Sequence, residues 1–347
     1  MVLSSINYSF LNDYNEIAHP AVMKTLNDLA GKRFKGYGTD EICSRVTEQV
    51  KARIGQPNAD IHFFNGGTVT NLTVISHALR PHQAVIAVDS GHVATHETGA
   101  IEATGHKVIT VSSPSGKLTP TLVANVLAEH NDEHSVQPKL VYISNSTEIG
   151  TVYRKHELLA LREVCDKHGL LLFLDGARLA SGLMSKASDL TIEDIAAVTD
   201  VFYIGGTKIG ALTGEILVIL NPALKSDFRY SIKQKGGLQA KGWLLAAQFE
   251  PLFNNELYFE LGHHLNEMAS QLALFFEEQG FEFLAPVESN QVFVILPNSL
   301  ADNLLKHYQL SKIGNPTTET TCVRFCTAWS TTQQDIDKFK QVFHTLS

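Results

Sequence analysis

The chain has 347 residues, 44% hydrophobic and 18% charged, with a net charge of −8; this describes a soluble globular protein long enough for two domains. The acidic balance argues against a nucleic-acid footprint, which needs a basic patch, and it offers an anionic membrane nothing. No apolar run nears twenty residues and no basic–apolar–small leader is found, so neither export nor membrane spanning is expected, and the expected location is cytoplasmic.

After a short irregular start, Pro20 suits the first turn of a helix that Gly31 stops. Asn12 and Asp13 precede it and read as turn residues. Beyond the Gly36-Tyr37-Gly38 loop, Thr39 is expected to cap a helix with Ile42, Val46, Val50 and Ile54 on one face and Gly55 at its end. Ile61–Phe64 reads as a strand, Asn65-Gly66-Gly67 as a tight turn, and Thr68–Leu79 as a helix closed by Pro81. Glycines at such a turn let backbone N–H groups approach an anion at the positive helix end, although a turn that binds nothing fits the stretch at least as well. The lysine and spacing of nucleotide loops are missing.

Ala84–Asp89 is another buried strand. His92 and His96 lie four apart just past its carboxyl end and can share a helical face. A metal pair lacks a third ligand, which leaves surface histidines or a role in a site. Lys107–Ser112, a Thr119-capped helix to Glu129, Leu140–Ser144 and the loop Asn145-Ser146-Thr147-Glu148 continue the chain. A helix from His156 to His168 is expected to bury Leu158, Leu161, Val164 and Cys165. Cys43, Cys165, Cys322 and Cys326 show no metal-type pairing, and Cys322 and Cys326 are too far apart along a strand to bridge; reduced thiols and no metal are expected.

Two apolar runs then end in polar residues: Leu170–Leu174 at Asp175, and Val201–Gly206 at Thr207-Lys208. Runs of this kind suit parallel strands buried on both faces, and ligands gather at the carboxyl ends of such strands. One strand therefore delivers a carboxylate and the other an amine, with Arg178 close by. Pyridoxal phosphate (PLP) needs a lysine for its Schiff base and an acidic partner for its pyridinium nitrogen. A turn-capping Asp and a snorkelling Lys are the purely structural alternative.

Glu215–Leu220 is one more strand, and Lys233, Lys235 and Gly236-Gly237 read as a basic solvated loop. A long helical pattern from Gln239 to Gln279 is expected to kink or break at Pro251 and Gly262. Phe281–Leu284, Gln291–Leu296, a helix Ser299–Tyr308, Cys322–Thr327 and a helix Thr332–Phe343 follow. The repeated strand–helix units predict an α/β fold with a mostly parallel sheet, and the last segments a smaller α+β domain.

In this order LNDYNEIAHPAVM, GYGTDE, FFNGGTVTN, DSGHVATHETGA, SNSTEIGTVY, LDGARLASGL, GGTKIGALTGE, KGGLQAKG and CVRFCTAW span Leu11 to Trp329. The set resembles the threonine aldolase/aromatic amino acid β-eliminating lyase family of PLP enzymes, fold type I, and within it the phenylserine aldolase branch. The resemblance implies a large domain over 1–238, including a short N-terminal arm, with a mostly parallel seven-stranded sheet flanked by helices. Residues 239–347 would form an interdomain helix and a small C-terminal domain.

The resemblance also implies PLP as cofactor, with Lys208 as its Schiff-base lysine and Asp175 on the pyridinium nitrogen. Gly66, Gly67 and Thr68 would hold the phosphate, with Thr207 adding a contact. His92 would stack on the ring, and His92 and His96 are the imidazoles available to move a proton. Asn12, Arg178 and Arg324 would bind the carboxylate of a small amino acid substrate. A homodimer or homotetramer with sites between subunits is implied, in which Lys235 or Lys241 would reach a phosphate. The expected reaction splits the Cα–Cβ bond of L-β-hydroxy-α-amino acids into glycine and an aldehyde; β-elimination and transamination are alternatives on the same cofactor. The two arginines argue against a non-catalytic carrier. Asn12 and Gly66 stand where many members have serine. The loop Asn145–Glu148 lacks the histidine that threonine aldolases often carry, which predicts a weaker grip on a β-hydroxyl and a preference for an aryl substrate such as phenylserine.

Overall fold

A strand that is apolar along its whole length needs cover on both faces, and the computed structural model supplies it. The structure describes residues 8–346; most of the expected irregular start, residues 1–7, lies outside them. The strands are β1 (Tyr8–Ser9), β2 (Asp60–Phe64), β3 (Gln83–Val88), β4 (Lys107–Val111), β5 (Gln137–Ser144), β6 (Leu171–Asp175), β7 (Val201–Gly205), β8 (Glu215–Ile219), β9 (Gln291–Pro297), β10 (Tyr308–Gln309), β11 (Ser311–Gly314) and β12 (Thr320–Cys326). Seven of them form one sheet in the order β2-β8-β7-β6-β5-β3-β4. β4, β3, β5, β6 and β7 run parallel, and β8 is antiparallel to both its neighbours. Along β7, Phe202 and Ile204 enter one core while Val201 and Tyr203 enter the other, the period-two alternation of a pleat packed on both sides. The chain has the α/β fold with a mostly parallel seven-stranded sheet.

The smaller unit has its own sheet, β11-β12-β9, and a core that includes Met268, Phe276, Val292, Phe325 and Phe339. Phe10 belongs to that core, and β1 pairs in parallel with β10. The N-terminal arm thus crosses to the small unit rather than staying with the large one, because the apolar seat for Phe10 lies there.

Several elements differ from expectation. The long helix is two, Trp243–Phe253 and Leu257–Glu278, and the break falls at Asn255 and Glu256, whose φ angles are 54° and 63°. Pro251 sits near the end of the first helix and costs it one hydrogen bond. Gly262 lies inside the second, where a Cβ would stand 2.6 Å from the Ala180 carbonyl oxygen; it permits contact between helices and does not interrupt one. Asp40, not Thr39, caps the helix Glu41–Arg53 by accepting from Cys43 N at 2.9 Å. Lys233 lies in a helix, Phe228–Gln234. The helix from Asn298 stops at Leu304, which frees Tyr308 for β10, and Phe283 makes only an isolated bridge to Val294. Val164 is half-buried.

Candidate active site

β5, β6 and β7 end side by side, with Ser144 paired to Asp175. Asp175 is buried; its Oδ1 accepts from Ala177 N at 2.9 Å, and its Oδ2 accepts from Asn71 Nδ2 at 3.1 Å and from the Tyr142 hydroxyl. Burial alone would raise its pKa, but the charge of His92 and the Tyr142 and Tyr203 hydroxyls bring it below the usual carboxylate value. One turn beyond β7, burial and the Arg178 charge pull Lys208 below the usual amine value, against the pull of Asp13, Asp175 and Glu215. A depressed amine is a better nucleophile at neutral pH.

The turn that carries Lys208 is held by Glu215, the first residue of β8. Glu215 accepts from Gly206 N at 3.0 Å and from Thr207 Oγ1 at 2.9 Å, and Thr207 Oγ1 accepts from Gly214 N at 3.0 Å. Thr207 donates its one hydroxyl hydrogen to Glu215, so the phosphate contact expected of it has no hydrogen in this geometry. Burial pushes the Glu215 carboxyl up to about 7 in spite of these bonds.

Gly66 precedes the helix Gly67–Ala78 and leaves its amino end without a side-chain cap, so the first N–H groups, with half-buried Thr68, remain free to meet an anion. A Cβ on Gly67 would stand 3.0 Å from the Tyr203 hydroxyl, so any larger residue would crowd this cradle. Across the site, Arg178 donates to Asp13 at 2.7 and 3.0 Å, and Asn290 Nδ2 also donates to Asp13 at 2.9 Å. Asp13, Arg178, Lys208, Tyr258 and Asn290 line one cleft. Arg324, on β12, donates to the Leu11 carbonyl at 3.0 Å, and its Nε is buried with no partner among the described residues. Asn12 is a turn residue whose Oδ1 accepts from Tyr14 N at 3.0 Å.

His92 and His96 stack with ring centroids 5.6 Å apart and planes at 18°. The loop that lacks a histidine is not without a polar group: Glu148 Oε1 accepts from His92 N at 3.0 Å and from Ser144 Oγ at 2.7 Å, while Oε2 is buried without a partner among the described residues. Burial and the Asp175 charge raise its pKa. The premise of a weaker polar grip, and with it the argument for an aryl preference, does not hold for this loop. The structure thus gathers Lys208, Asp175, Arg178, His92 and His96 around the strand ends, with the Gly66–Thr68 turn and Arg324 at the borders. Lys235 and Lys241 lie beyond the helix Phe228–Gln234, away from this set on the chain. The sequence reads Asp13 as a turn residue and Glu148 as part of a loop, and assigns no site role to either or to Glu97 and Glu215. The one usable signal was Glu215, an acid heading the apolar run EILVIL.

A buried carboxylate and a depressed lysine at adjacent strand ends of this sheet, with an open helix amino end beside them, fit PLP and define a PLP-dependent enzyme of fold type I. The fold is also that of the Thermus thermophilus aspartate aminotransferase, with a TM-score of 0.74 at 14% identity over 99% of this chain and 92% of that one. Residues 28–299 match the family described as beta-eliminating lyase, and the chain belongs to it. A structure of Leishmania major threonine aldolase is similar over 98% of this chain and 99% of that one, with a TM-score of 0.96 and 47% identity. The low-specificity L-threonine aldolase of Pseudomonas sp. (strain NCIMB 10558) is 34% identical over 75% of this chain and 76% of its own, and that of Pseudomonas aeruginosa is 31% identical over 76% of each. Among the described residues no helix is long and apolar enough to cross a membrane, and no cluster of His, Cys, Asp or Glu is placed to hold a metal ion. The four cysteines are free and buried.

Proposed function

We propose that this chain cleaves L-β-hydroxy-α-amino acids such as threonine, allo-threonine and phenylserine to glycine and an aldehyde. The observation that carries this reading is the pairing of Asp175 and Lys208 at neighbouring strand ends, with the Arg178 charge beside Lys208, in a chain whose relatives are threonine aldolases. Bound PLP supplies an electron sink for the pair of electrons left on Cα. Lys208 would hold PLP covalently, and Asp175, kept ionised, would hold a proton on the ring nitrogen. Gly66, Gly67 and Thr68 would hold the phosphate. Arg178 and Arg324, joined by the Asn12 amide, would grip the substrate carboxylate; a bidentate grip fixes orientation and so selects which Cα bond breaks. His92 and His96 stand ready to move the hydroxyl proton.

A screen for glycine release from L-threonine, L-allo-threonine and L-phenylserine tests the reading. Glycine and the matching aldehyde are expected, while Lys208→Ala should lose both turnover and the visible absorption of the bound cofactor. Ammonia and a keto acid in place of glycine would move the reaction to β-elimination or transamination, and full activity in Lys208→Ala would overturn the site.

The reading includes a homodimer or homotetramer. Tyr14, Ile17 and Leu212 are 54%, 70% and 45% exposed, close in sequence to Asp13 and Lys208, and apolar groups beside a site favour cover by a second copy. In that assembly Lys235 or Lys241 would reach the partner's phosphate. A monomeric mass by light scattering at working concentration would refute it.

A further inference from the structure

The proposed reaction gives Glu97 no task, yet its side chain is fully buried, where an acid without partners is strongly disfavoured. Its Oε1 lies 2.8 Å from His92 Nδ1 and 2.7 Å from Asn71 Nδ2, and its Oε2 is buried without a partner among the described residues. Asn71 Nδ2 also donates to Asp175 Oδ2. One chain of contacts therefore runs from a partly exposed imidazole to the buried carboxylate of the site: His92, Glu97, Asn71, Asp175.

We propose that Glu97 is a positioning residue which, by accepting from His92 Nδ1–H, fixes the tautomer of that ring and leaves Nε2 as the nitrogen that exchanges a proton with the substrate. The inference rests on the cleavage reading of the site. An ionised carboxylate only accepts, so the hydrogen between the two groups belongs to Nδ1. The lone pair of the neutral ring is then at Nε2, and the cation formed on proton uptake has an anion behind it. Asn71 donates to both carboxylates and keeps Glu97 in place.

The charged groups facing His92 are Glu97 and Asp175, with Glu148 at its backbone, Lys208 across the site and His96 stacked on it. Burial lowers the His92 pKa, but the Glu97 hydrogen bond and the charges of Asp175 and Glu97 outweigh it and Lys208, and the net direction is up. His96 moves the other way: burial and the charges of His92, Arg324, Lys208 and Arg178 lower it. Its Nδ1 lies 2.6 Å from the Thr95 hydroxyl, with no carboxylate in that place. Environments that push two like groups apart assign their roles, and here they make His92 the stronger base of the pair.

Glu97→Gln in the holoenzyme tests this. The amide oxygen accepts from both His92 Nδ1 and Asn71, so the contacts survive and only the charge is lost. The His92 ring titration, followed by NMR and assigned by its loss in His92→Phe, should move to lower pH by about one pH unit or more. The acidic limb of kcat/KM should move the same way, and Glu97→Asp should restore part of both. A His92 titration that stays in place, or activity that falls equally at every pH with neither curve moving, overturns the proposal. If the wild-type enzyme releases no glycine, the cleavage reading fails, while the titration still decides the Glu97–His92 pairing.

Discussion

Asp13 is 1% exposed and carries the ion pair that orients Arg178. Burial alone would raise its pKa; the charges of Arg178 and Lys208 and the hydrogen bonds from Arg178 and Asn290 bring it from 3.8 down to about 2. The folded value lies below the unfolded one, so its contribution is complete above about pH 4 and is lost as pH falls through about 2. It amounts to about 2 kcal/mol. Asp13→Asn also leaves Arg178 as an unpaired buried cation, a cost of about 3–5 kcal/mol at neutral pH. Urea unfolding of both proteins should show that gap narrowing as pH approaches about 2; a gap independent of pH would mean the pair is not ionic. The sequence offers Asn12 as a carboxylate ligand but leaves Asp13 a turn residue, and it gives Glu97, Glu148 and Glu215 no role. A carboxylate's neighbours along the chain do not say whether it will be buried, and the partners of Asp13 (Arg178 and Asn290) lie more than 150 residues away.

At the scale of elements, the seven sheet strands were legible because each is an apolar run bounded by turn residues. β1, β10 and β11 were not: each is short, and pairing across some three hundred residues, as between Tyr8 and Tyr308, leaves no local pattern. Gly262 was read as a helix breaker, the usual meaning of an isolated glycine, and is instead the contact point between two helices. That gives a test. An alanine there would set its Cβ 2.6 Å from the Ala180 carbonyl and overpack the contact by about 1–3 kcal/mol. The displaced helix, Leu179–Leu183, begins next to Arg178. Gly262→Ala should therefore lower Tm and raise KM together; an unchanged Tm would show that the two helices separate freely.

At the scale of the molecule, one arm ties the two units to the site. Phe10 is fully buried in the small core, against Tyr308, Phe325 and Phe339. The next residue's carbonyl accepts from Arg324, and Asp13 holds Arg178. Phe10→Ala should cost about 3–5 kcal/mol and raise KM while leaving the cofactor's absorption in place, since Lys208 and Asp175 stand at strand ends of the large sheet, apart from the small core. Loss of that absorption at a temperature where the variant is still folded would show that the arm supports the whole site and not the arginines alone.

The pairing of β1 with β10 also sets an order on synthesis. A ribosome that has delivered the chain as far as β8 has made the complete large sheet, with Asp175 and Lys208 at adjacent strand ends. Arg324, β10 and the seat of Phe10 have not yet been translated, so β1 must wait, unpaired, for a strand some three hundred residues further along the chain. Contacts this distant along the chain form slowly, and domains that can fold early do so first. The nascent protein would assemble the Asp175–Lys208 half of its site before Arg324, the second arginine of its carboxylate clamp, has been made.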